Sequence, residues 1–141
     1  MTARMLVAAF HPGNQRYVNY ARESGMMVRV LDCVESEHKR LVRHFGQIVL
    51  TVPGTRGEVR RAVAAEDFDV ALVHEATDYV LTALITQSLK EAGVPLIVVV
   101  TSDGSRASMY RRLGANQVIE TQSEETAWVA LEGMVNNFAT A

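Results

Sequence analysis

Leu96-Ile97-Val98-Val99-Val100-Thr101 is an aliphatic, largely β-branched run with no polar alternation. A strand with one wet face alternates apolar and polar residues. A strand covered on both faces does not, and that double burial marks a parallel sheet flanked by helices. The neighbours of this run agree. Upstream, Thr77 to Ala92 reads as a long helix with Leu81, Leu84, Ile85 and Leu89 on one face, ended by Gly93 and blocked by Pro95. Downstream, Ser105 to Leu113 reads as a helix closed by Gly114, followed by a short strand over Gln117 to Glu120.

The same alternation extends to both ends of the chain. Met5 to Phe10 is a buried strand in pattern, and Gly13 or Asn14 opens a helix that runs to about Ser24. Gly25 precedes a second strand, Met26 to Leu31, with Asp32 at its carboxyl end. Ser36 has the chemistry of an N-cap for a helix carrying Leu41, Val42 and Phe45, ended by Gly46. Gln47 to Val52 reads as a third strand and Pro53-Gly54 as a turn. Thr55-Arg56-Gly57-Glu58 has capping-box spacing ahead of Val59 and Val63. Phe68 to His74 reads as strand four. Ser123 caps a last amphipathic helix over 122–141, with Trp128, Leu131, Val135 and Phe138 on one stripe. Strict βα alternation with short connections predicts one domain over 1–141. Its fold is α/β: a Rossmann-like, doubly wound parallel sheet with helices on both faces and expected strand order 3-2-1-4-5-6. The stripe on the last helix suits core packing, or a partner-binding element.

The 141 residues are 48% hydrophobic and 21% charged, with a net charge of −2. That balance suits an ordinary globular domain and gives no electrostatic case for nucleic acid or an anionic membrane. No apolar stretch approaches the roughly 20 residues that span a bilayer. The single Cys33 has no internal disulfide partner, which favours a reducing, cytoplasmic setting. The run Met5 to Phe10 ends at His-Pro-Gly without a small-residue cleavage site and is not read as a signal peptide.

Open parallel sheets bind ligands beyond the carboxyl ends of their strands, near the point where strand order reverses. Those ends supply His11, Gly13 and Asn14 after strand one, Asp32 and Cys33 after strand two, His74, Glu75 and Asp78 after strand four, and Asp103 after strand five. Asp32 stands where a dinucleotide fold places the acid that bonds a ribose hydroxyl; a loop-capping role fits it as well. Asp103-Gly104-Ser105 suits an anion-binding helix start or a plain N-cap. His11 and His74 with Asp32, Glu75 or Asp78 have metal-ligand chemistry, but no HxxxH or CxxC spacing supports a metal. No nucleophile–base pair is evident, so no catalytic residue is assigned.

In the order of its elements the chain resembles the N-terminal nucleotide-binding domain of potassium-transport regulators, the regulator-of-K⁺-conductance (RCK) or Trk-type domain. The resemblance is carried by Asp69, Thr77-Asp78, Gly93-Val94-Pro95, Leu113-Gly114-Ala115, Gly25 and Asp32. It implies a cofactor of the NAD(H) or adenine-nucleotide type, with His11, Gly13, Asn14, Asp32, His74, Asp78 and Asp103 around it. It also implies a homo-oligomer and a membrane cation transporter or channel as partner. The family's GxGxxG aligns with Ala9, His11 and Asn14, so all three glycines are replaced, and the expected nucleotide binding is weakened or lost. Receiver domains of response regulators are similar around strand five, but Phe10-His11 stands where they carry paired acids, and no Lys follows Gln117. The N-terminal domain of ATP-grasp enzymes is similar over the first 95 residues. The expected function is a non-catalytic, ligand-sensing regulatory domain. The alternatives are a nucleotide-free assembly scaffold, working as a homodimer, and a small metal protein or enzyme built on His11, His74 and nearby acids.

Overall fold

A computed structural model describes residues 2–9, 14–52 and 56–140. Six strands form one sheet in the order β3-β2-β1-β4-β5-β6: β1 (Arg4–Ala9), β2 (Met27–Asp32), β3 (Val49–Thr51), β4 (Val70–His74), β5 (Leu96–Thr101) and β6 (Gln117–Glu120). Every pairing is parallel. The expected fold and strand order are those observed. The helices are α1 (Asn14–Glu23), α2 (His38–Phe45), α3 (Arg56–Ala64), α4 (Tyr79–Glu91), α5 (Ala107–Leu113) and α6 (Glu124–Thr140). Among the described residues no helix is long and apolar enough to cross a membrane.

Strand periodicity explains why the central strands lack alternation. Successive side chains leave opposite faces, and here both faces are roofed. Met5 and Val7, Val70 and Leu72, and Val98 and Val100 point into a core closed by Tyr17 and Val18 of α1, Leu41 of α2, and Trp128, Leu131 and Val135 of α6. Their neighbours Leu6 and Ala8, Ala71 and Val73, and Ile97 and Val99 point into a second core closed by Val59 and Val63 of α3, Ile85 and Leu89 of α4, and Tyr110 of α5. The stripe of α6 thus packs on the chain's own sheet, with the Trp128 ring stacked on Tyr20 at 5.6 Å. Ser123 caps the helix, its Oγ accepting from Thr126 N at 3.2 Å. The side chain of Phe138 lies outside the described residues.

Local details depart from the expected pattern for identifiable reasons. The third strand shortens to three residues, because Gly46 at φ 58° leads into a 3₁₀ turn over Gly46–Ile48 and only Val49–Thr51 pair with β2. Ser36 falls inside a second 3₁₀ turn, Glu35–Glu37, and does not cap α2. Leu84 is 46% exposed although it was expected on the buried face of its helix. The buried arc of α4 runs through Thr82, Ile85, Thr86 and Leu89 instead. Thr86 is tolerated there because its hydroxyl bonds the Thr82 carbonyl at 2.8 Å, so no polar group is left bare. Gly114 at φ 125° closes α5, and a Cβ there would sit 2.4 Å from Lys90 Cβ, so the α5–β6 turn passes against α4 where only glycine fits. The turn Pro53-Gly54 and Thr55 of the capping box lie outside the described residues.

Leu131 is fully buried between α6 and the sheet. Leu131→Ala is expected to cost about 2–5 kcal/mol, read as a lower urea midpoint at unchanged slope.

Candidate functional site at the carboxyl edge

β1 pairs with β2 on one side and β4 on the other, so the order reverses at β1 and the carboxyl edge opens there. Ala9 and His74 are in register across that boundary, as are Asp32 and Thr51 further along the edge. His11 and Gly13 lie outside the described residues. Asn14 opens α1, but its side chain is not among those described.

Asp32 ends β2 with only 2% of its surface exposed. Its Oδ2 accepts from His38 Nδ1, on the first residue of α2, and from Thr51 Oγ1 of β3 at 3.0 Å. An open cleft of about 970 Å³ lies over this carboxylate, lined by Cys33, Glu35, His38, Lys39 and Thr51 among others. Burial, and then the charge of Asp32, push the Cys33 thiol up to about 11, so it stays protonated at neutral pH and is no nucleophile.

His74 ends β4. Its Nδ1 lies 2.7 Å from the hydroxyl of Tyr17, and the rings are 5.6 Å apart. Tyr17 comes from α1, so this bond ties the helix after β1 to the end of β4. Burial, with Glu124 and Tyr20 nearby, raises the Tyr17 phenol well above its ordinary range, so it holds its proton.

A third group joins two of the strand-end acids named from the sequence to partners that were not. Glu75, one residue past β4, has a side chain 7% exposed and receives a fork from Arg106, Nε to Oε2 at 2.7 Å and Nη2 to Oε1 at 2.8 Å. Thr101 Oγ1 donates to it at 3.0 Å, and the Tyr110 hydroxyl donates as well. Burial opposes the charge of Glu75. The hydrogen bonds from Arg106, Tyr110 and Thr101, with the Arg106 charge, nevertheless hold its carboxyl below the ordinary 4.5. Arg106 also reaches Asp103 Oδ2 at 3.1 Å and lies over the Tyr79 ring at 5.3 Å. The group clamps the β4–α4 and β5–α5 connections together.

The two remaining predicted site residues cap helices. Asp78 Oδ1 accepts from Val80 N at 3.0 Å and Leu81 N at 3.3 Å at the start of α4. Asp103 Oδ1 accepts from Ser105 N at 2.9 Å. The structure therefore joins Asp103 to Glu75 through Arg106, while among the described residues no bond joins Asp32 to His74, Asp78 or Asp103. His38, Thr51, Arg106 and Tyr110 escaped the sequence reading. Only Arg106 left a local signal, three residues after Asp103 in an i,i+3 ion pair. Among the described residues no group of three or more His, Cys, Asp or Glu is arranged to hold a metal ion.

No protein-family model matches the chain, and no curated protein gives a significant match. Solved structures do match. The NAD(P)-binding domain of an exopolyphosphatase-related protein from Archaeoglobus fulgidus superposes with a TM-score of 0.64 at 14% identity, covering 97% of this chain and 98% of that one. The TrkA-N domain of the inner membrane protein YbaL from Escherichia coli gives 0.62 at 16% identity, covering 94% and 96%. The GsuK channel bound to NAD gives 0.63 at 14% identity, covering 84% of this chain and 21% of that chain. The chain therefore has a Rossmann-like α/β fold of the kind these domains share, as does the GsuK RCK domain, which gives 0.62 at 15% identity over 84% of this chain and 26% of that one.

Because the folded value of Glu75 lies below its unfolded one, its contribution to stability is complete above about 4.5 and is lost as pH falls through the folded value. Glu75→Gln is expected to lower the melting temperature at pH 7. Its deficit against wild type should shrink on acidification below the carboxylate range, as followed by circular dichroism melts.

Proposed function

We propose that the chain is a non-catalytic regulatory domain that senses a ribosyl ligand, NAD(H) or an adenine nucleotide, at the carboxyl edge of its sheet. The observation that carries this reading is Asp32. It is a buried carboxylate at the end of β2, beneath an open cleft and one strand from the point of order reversal. A carboxylate is an acceptor for hydroxyl pairs, and this is the place where doubly wound sheets put the acid that reads a ribose. His74, Asp78 and Asp103 stand along the same edge, with His11, Gly13 and Asn14 on the turn after β1 as further candidates for contact with the ligand. The sequence carries Ala9, His11 and Asn14 in place of the family's glycines, so a weakened pyrophosphate contact and a modest affinity belong to this reading. The likeness to an NAD(P)-binding domain and to an NAD-bound channel supports the ligand class. The likeness to a TrkA-N domain of a membrane protein supports a cytoplasmic partner role beside a cation transporter or channel.

Thermal-shift and calorimetric titration with NAD, NADH, ADP and ATP test the reading. At least one of them is expected to raise the melting temperature, and Asp32→Asn to weaken it about tenfold or more, the loss of a charged acceptor for a ribose hydroxyl. No shift with any of the four, together with an inert Asp32→Asn, would overturn it.

A second reading, a nucleotide-free scaffold working as a homodimer, draws on the outward face of α4, where Tyr79, Val80 and Leu84 are 49%, 55% and 46% exposed. It expects a dimer in light scattering that dissociates on Leu84→Glu. A monomer at high protein concentration sinks it.

A further inference from the structure

We propose that His38 is a gate on the Asp32 site: its imidazole and a ligand hydroxyl compete for the same carboxylate oxygen, so release of His38 sets the affinity of the cleft. The inference rests on the ribosyl reading given above and adds the element that regulates it.

Among the described residues both side-chain bonds to Asp32 fall on Oδ2, from His38 Nδ1 and from Thr51 Oγ1. A carboxylate oxygen has about two lone-pair positions, so Oδ2 is filled. A ribose diol that spans both oxygens of Asp32 must remove one of the two donors. Thr51 is held by the sheet, in register with Asp32 on β3. His38 is held less firmly. Its side chain is 46% exposed, and it stands at the junction between a 3₁₀ turn and α2, where it swings into water without disturbing a strand. His38 is therefore the donor that leaves.

The other charged or titratable groups around it are Asp32 and Cys33 of the β2 end, Glu35 and Glu37 of the 3₁₀ turn, and Lys39 of α2. Glu37 is paired with Arg40 at 2.8 Å, and the Cys33 thiol keeps its proton. Removal of the His38 donor therefore frees a position on Oδ2 for a ligand hydroxyl.

The test is calorimetric titration of the full chain with ADP-ribose, which carries the ribose and pyrophosphate without the nicotinamide. Circular dichroism verifies folding of each variant. His38→Ala is expected to bind about two- to tenfold more tightly than wild type. His38→Gln, which keeps a side-chain donor, is expected to bind no more tightly than wild type, and Asp32→Asn about tenfold or more weakly. If His38→Ala binds no more tightly than wild type while Asp32→Asn still weakens binding, the gate is wrong and the ribosyl reading stands. If ADP-ribose binds neither wild type nor His38→Ala, or binds Asp32→Asn as well as wild type, the ribosyl reading fails and the gate falls with it.

Discussion

Every central strand of this protein is apolar on both faces, because both faces are roofed by helices. Leu6, Val7, Ala71, Leu72, Val98 and Val99 are completely buried, and neighbours in sequence feed different cores. Burial of this kind stabilises by roughly 25 cal/mol per Å² of apolar surface, and it leaves no wet face on which a polar residue can stand mid-strand. In β1, β4 and β5 polar chemistry is pushed to the strand ends. Toward the amino side it is used structurally: Arg29, third residue of the more lateral β2, donates from Nη1 to both Glu66 oxygens at 2.9 and 2.7 Å, and its guanidinium also donates to the carbonyls of Ile48 and Val49, while the Arg4 backbone N–H meets Asp69. The carboxyl ends are left with Asp32, His74, Glu75 and Thr101.

Charges held at a low-dielectric edge need partners. Glu75 has a full set, with two donors from Arg106 and one each from Thr101 and Tyr110. It is rigid and occupied, and its work is to fasten two loops. Asp32 is as buried as Glu75, but its partners are a sheet-bound threonine and a half-exposed histidine, and an open cleft lies above it. One carboxylate is locked by four donors and the other shares a single oxygen beneath open space, although both are acids at strand ends.

The layout around the reversal point has β1 between β2 and β4 and an acid ending β2. In the sequence, Ala9, His11 and Asn14 stand where a GxGxxG turn carries its glycines. Among the described residues, the polar groups beneath the cleft gather where Asp32, His38 and Thr51 meet.

Hydrophobic periodicity, helix-ending glycines such as Gly25 and Gly114, and the βα alternation were enough to determine the fold class and the number of strands; the strand order was expected from the doubly wound pattern and is fixed by the observed pairings. These are local patterns, and local patterns report local geometry. Asp32 was legible too, because its place is measured along the chain from the first turn. What stood beside it was not: Thr51 is 19 residues away, Arg106 is 31 from Glu75, and Tyr17 is 57 from His74. Such contacts are set by strand register and by which face of a helix meets the sheet. The same cause turned Leu84 outward and Thr86 inward, since a threonine that bonds its own helix is apolar enough to bury. The chain alone determined that Asp32 ends the second strand; tertiary packing decided that Glu75 is clamped and that Asp32 is shared by His38 and Thr51, because only folding brings distant donors to one carboxylate.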